Sequence, residues 1–219
     1  MEGSKISSFD AYAALDGGDV ATPTEFTVWR ADVAPETSNA VRHVHQYFEN
    51  KKQGRTFNSR KDLNPPELAA YLPYVTILDV IDDPDSANQR IADGRFRLVG
   101  TKVVTLYGEA TGKLVSEHHG EEILGRVRKI ANFCVQEKCD AVGRSAALSN
   151  GRPSLEVTIL YVPFSDDQES VTQFLIFADI CRIDVEGTRH EGNRLPEVLG
   201  GMPAAGSDVR GKISPYDKD

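Results

Sequence analysis

Apolar positions between residues 38 and 180 recur in two periods, 3.6 and 2, and the switches between them mark out the elements. Val41, Val44, Tyr47 and Phe48 recur at helical spacing behind Ser38 or Asn39, either of which can cap a helix that stops near Gly54. Asn64-Pro65-Pro66-Glu67 opens a second, short helix. Asn64 suits the N-cap, Pro65 the first helical position, and Glu67 stands three after the cap. That helix carries Leu68, Tyr71 and Leu72 and ends at Pro73. Residues 74–81 are β-rich and bounded by Asp82-Asp83-Pro84, which predicts a strand. Residues 95–99 alternate and predict a second strand that ends at Gly100. Residues 101–117, with Gly108 and Gly112, predict short helical turns rather than one long helix. Residues 121–138 predict a long helix, with Leu124, Val127, Ala131 and Cys134, joined by Ile123 and Ile130, forming a broad apolar stripe.

Three strands follow. Residues 141–148 are rich in small side chains, and Asn150-Gly151 is the strongest hairpin signal in the chain. Residues 155–164 place Leu155, Val157, Ile159 and Tyr161 on one face. A turn over 165–170 leads to the last strand, 171–180. Two strands, several helices and three strands predict an α+β fold: a five-stranded antiparallel sheet with helices packed on one face, preceded by an N-terminal helix. Residues 1–36 read as a partly flexible arm, from which Phe26, Val28 and Trp29 could dock. Residues 37–184 read as the domain. Residues 185–219, rich in Gly, Pro and charge, read as a flexible tail.

This order is that of the PAS fold. Arg60-Lys61-Asp62-Leu63-Asn64-Pro65, Leu72-Pro73, Phe96-Arg97-Leu98-Val99-Gly100-Thr101, Tyr107-Gly108-x-x-x-Gly112 and Tyr161-Val162-Pro163-Phe164 carry a resemblance to bacterial stand-alone PAS proteins. The resemblance implies a sensory or regulatory module, often dimeric, that is not known for catalysis and has no set ligand. No kinase, cyclase or transcription domain fits beside this domain in 219 residues, so output is expected through another protein or through self-association.

The length fits one domain with a sizeable core. A formal charge of −8 and a pI near 5.2 argue against nucleic acid and anionic membranes as partners. No apolar run approaches the ~18 residues of a membrane helix. The first residues lack a signal-peptide pattern. The three cysteines are odd in number and include no Cys-x-x-Cys pair. A cytoplasmic location is expected.

Haem would need an axial ligand such as His118 or His119, which precede the long helix and are more simply a solvated loop pair. His43 and His45 are two apart on a helix and do not share a face, so no metal site is read there. There is no flavin signature, because Cys134 sits in an apolar stripe rather than a polar loop. Gly108 to Lys113 lacks the spacing and the hydroxyl residue of a phosphate loop, and Gly143-Arg144-Ser145 lacks the second glycine of a nucleophile elbow. An acid–base enzyme would rely on Asp79 and Tyr107, and no catalytic residue is assigned. What remains is a cavity between sheet and helices, walled by Phe96, Leu98, Tyr107, Ile130, Cys134, Ile159 and Tyr161. Ala141, Gly143, Ser145 and Ala147 share one strand face and leave room there for a small ligand or for a closely packed helix. Arg144 has the opposite parity and needs an anionic partner if it points inward. A signalling partner or a homodimer would use Val41, Val44, Tyr47 and Phe48 as a seam, unless that stripe covers the chain's own sheet.

Overall fold

The elements follow from caps, prolines and strand pairing, and a computed structural model describes them over residues 22–23, 26–149, 152–183 and 189–190. Two short strands, β1 (Thr22–Pro23) and β2 (Thr27–Arg30), come first. Ser38 then opens α1 (Asn39–Lys52), its hydroxyl accepting from the Val41 N–H at 3.2 Å. Gln53 and Gly54, both at positive φ, close the helix. The short helix expected at 64–72 is instead a run of 3-10 turns at Arg60–Asp62, Pro65–Leu68 and Leu72–Tyr74. Pro73 carries no N–H to donate, so no α ladder can run through it toward β3.

β3 (Val75–Asp82) and β4 (Ile91–Val99) are antiparallel neighbours. β4 starts four residues earlier than its alternation suggests. The Asn132 side chain holds both backbone groups of Ile91, accepting from its N–H at 2.8 Å and donating to its carbonyl at 3.1 Å. Next come α2 (Thr101–Tyr107), α3 (Val115–His118) and α4 (Glu121–Glu137). β5 (Ala141–Ser149), β6 (Arg152–Phe164) and β7 (Gln173–Ile183) complete the expected five strands. The Asn150-Gly151 turn lies outside the described residues, but Ser149 pairs with Arg152 across it.

The sheet runs β1-β5-β6-β7-β3-β4, with β2 also on β5. A two-residue strand, β8 (Arg189–His190), pairs with the end of β7, inside the segment read as tail. Every pair of strands is antiparallel. β1 and β2 cover the outer edge of β5, whose backbone would otherwise offer unpaired groups. Thr22–Pro23 and Thr27–Arg30 of the arm are thus part of the sheet.

Helices α3 and α4 lie on one face of this sheet and α1 lies on the other. On the α1 face, Val41, Val44 and Phe48 are fully buried against Leu160, Val162, Phe164, Leu175 and Phe177. Of the two uses the sequence left open for this stripe, the fold adopts the covering of its own sheet. Tyr47, the fourth member, is half-buried and bonds its hydroxyl to the Asp62 carbonyl at 2.8 Å.

Candidate functional site

The α4 face is built on a strand with little side chain of its own. Ala141 and Gly143 on β5 face α4, where Ile130 and Cys134 are fully buried. Tyr161 and Ile159 from β6, Phe96 from β4 and Leu78 from β3 join them in one apolar cluster. Five of the seven expected wall residues therefore meet. Leu98 does not. Leu78 pairs with Phe96 but Ile77 pairs with Leu98, so Arg97 is an extra residue in β4. This bulge reverses the parity of the strand and leaves Leu98 45% exposed. Tyr107, at the end of α2, stands at the margin, its ring 5.9 Å from that of His119.

The room left by the small residues is taken by Phe26. A methyl group at Gly143 would lie 2.4 Å from Phe26 Cζ and 3.0 Å from Ile130 Cδ1, so only glycine admits the ring. Two cations sit over the outer side of that ring: the Arg126 guanidinium at 5.8 Å and the Lys129 ammonium at 5.9 Å from its centroid. Lys129 Nζ also donates to the Phe26 carbonyl at 2.7 Å. The sequence marks Phe26 as able to dock. Its seat is not legible, because it pairs a residue of the arm with a glycine more than a hundred positions away.

The same arm is strapped down on the opposite face. Arg144 lies under Trp29 at 5.6 Å and donates to the carbonyls of Pro35 (2.6 Å) and Glu36 (3.1 Å). Its anionic partners are Glu156 at 3.7 Å and Glu36 at 3.9 Å. Arg144 keeps the opposite parity and is only 14% exposed, and Glu156 and Glu36 supply the counter-charges that its burial demands. Phe26 and Arg144 together fix β2 and the linker into α1.

His118 and His119 are not a solvated loop pair. Both rings meet the edge of Phe96, at 6.2 and 5.7 Å, and His118 Nε2 is 2.9 Å from the Tyr107 carbonyl. Burial, then the neighbouring His118, pushes His119 down to about 4, so it is neutral at pH 7. Burial pushes the Cys134 thiol well up and raises the Tyr161 hydroxyl, so both face the cluster in protonated form. Asp79 lies elsewhere, in a surface cleft of about 320 Å³ shared with Arg60, Phe164, Asp166, Thr172 and Gln173. There it accepts from Gln173 Nε2 at 2.6 Å and pairs with Arg97 at 3.4 Å. No described helix is long and apolar enough to cross a membrane.

Comparison with known proteins adds three findings. A family model for a PAS domain matches residues 36–177. Among solved structures, an RNA-binding light-oxygen-voltage receptor matches over 76% of this chain and 40% of its own, with 10% identity and a TM-score of 0.29. No curated protein matches the sequence.

Proposed function

The chain belongs to the PAS domain family, and from that membership we propose that it senses a small, mostly apolar ligand between β5 and α4, in the space that Phe26 fills. As a PAS domain it is a sensory and signalling module. The observation that carries the finer reading is the fit of Phe26 against Gly143. That ring is supplied by the arm, not by the strands and helix that form the space, so it occupies the site as a ligand would.

The rim indicates the ligand's chemistry. If Phe26 withdraws, Lys129 loses a carbonyl acceptor, and Lys129 and Arg126 lose the ring beneath them. A compound with an aromatic or branched apolar body and one carboxylate replaces all three contacts. Its entry frees Phe26 and loosens β2 from β5. The strain passes through Trp29, Arg144 and Pro35 to α1, where a partner or a second copy reads the change. The action is binding rather than bond-making, since Cys134 and Tyr161 stay protonated and buried at neutral pH.

A panel of aryl and branched-chain carboxylates, screened by thermal unfolding against the wild type and Phe26→Ala, tests this reading. Compounds that stabilise the wild type should stabilise Phe26→Ala more, because the competing ring is gone. If no compound raises the midpoint of either protein, and native mass spectrometry finds no co-purified molecule, the reading fails.

A further inference from the structure

A second convergence of polar groups lies where the C-terminal half of α1 meets the root of β5. His45 and Glu49 stand four apart on one face of α1. Asp140, the residue before β5, is brought beside them by the turn out of α4. His45 Nε2 lies 3.6 Å from Glu49 Oε1 and 3.5 Å from Asp140 Oδ2, and one donor atom of each residue lies within 4.8 Å of the others.

The ordinary account is an internal ion cluster closed by Lys52, whose ammonium reaches Glu49 and, at 3.1 Å, Asp140 Oδ1. That account leaves one buried oxygen without a donor in hydrogen-bond geometry. The Asp140 side chain is only 1% exposed, yet its Oδ2 has no hydrogen-bond partner. At 3.5 Å, His45 is too far for a good N–H···O bond. The two separations from Nε2 instead match the edge of a tetrahedron with bonds of about 2.1 Å, roughly 3.4 Å.

We propose that His45, Glu49 and Asp140 bind one divalent transition-metal ion of the zinc class, which ties α1 to the root of β5. The nitrogen and two carboxylate oxygens suit zinc, and the two negative charges neutralise the ion. Lys52, at the end of α1, is the internal competitor: its ammonium rests on both carboxylates, and its flexible stem lets it leave for solvent. His43 is not part of the cluster; its ring stacks on Tyr71, 5.2 Å between centroids. The partner of His45 is Glu49, one turn on, and the third ligand is far away in sequence.

The test uses the full chain stripped with chelator, then titrated calorimetrically with Zn²⁺ at pH 7.5 and followed with Co²⁺ by visible absorption. One ion per chain should bind. His45→Ala, which truncates a side chain only 17% exposed, should weaken binding at least tenfold while the circular dichroism of the fold persists. Lys52→Met should strengthen binding at least tenfold and make the unfolding midpoint rise with Zn²⁺. No stoichiometric binding to either the wild type or Lys52→Met would overturn the site, as would unchanged binding by His45→Ala.

Discussion

On the α1 face of the sheet, large side chains from β6 and β7 meet the apolar stripe of a capped, fourteen-residue helix. Val41, Val44 and Phe48 interlock with Leu160, Leu175 and Phe177, and no segment is borrowed. On the α4 face, β5 contributes alanine and glycine, and the missing volume is imported from the arm as Phe26. A filling that belongs to the framework leaves only when the framework unfolds. A filling borrowed from an edge strand can leave alone, because the free energy of local opening lies below that of global unfolding. The contrast separates a face filled by its own framework from a face filled by a borrowed side chain.

The largest effect should come from the framework face. Phe48→Ala should cost about 3–5 kcal/mol in chemical denaturation, since the site is fully buried and has no segment to collapse into it. Phe26→Ala should cost less, about 2–3 kcal/mol, and should leave the α1 face intact by amide exchange. An equal cost for the two would erase the distinction. Gly143→Ala should cost about 1–2 kcal/mol, because its methyl would overlap the Phe26 ring. In a Phe26→Ala background most of that cost should vanish, and additive costs would mean that the ring does not seat on Gly143. The smallest effect concerns pH. His119 is held near 4 in the folded protein, so it contributes stability that is complete above pH 6.5 and lost as pH falls toward 4. His119→Asn should abolish about 1–2 kcal/mol of that acid loss. Identical pH profiles for variant and wild type would remove His119 from the packed margin of the site.

Periodicity made most of the framework legible. The helix behind Ser38, the long helix at 121–137 and the five strands all carry apolar patterns that local physics enforces. The departures have tertiary causes. Leu98 left the wall because one extra residue in β4 reversed its parity, and no sequence signal marks Arg97 as a bulge. β4 began early because Asn132 holds Ile91 from another element. The run of small residues on β5 was readable as a space, but its occupant was not. Gly143 and Phe26 are each ordinary alone, and only the pairing of β2 with β5 brings them together. Asp140 and His45 were hidden for the same reason.

Native-state amide exchange of the wild-type chain tests the exchangeable filling most directly. The Ala31 amide, which donates to the Asp140 carbonyl at 2.9 Å, and the Trp29 amide of the same parity on β2 should exchange through a local opening at least tenfold faster than those of Leu160 and Phe177, a gap of about 1.4 kcal/mol. Equal protection at β2 and in the central strands would mean that Phe26 leaves its seat only when the whole domain unfolds, contradicting a site that opens to a ligand.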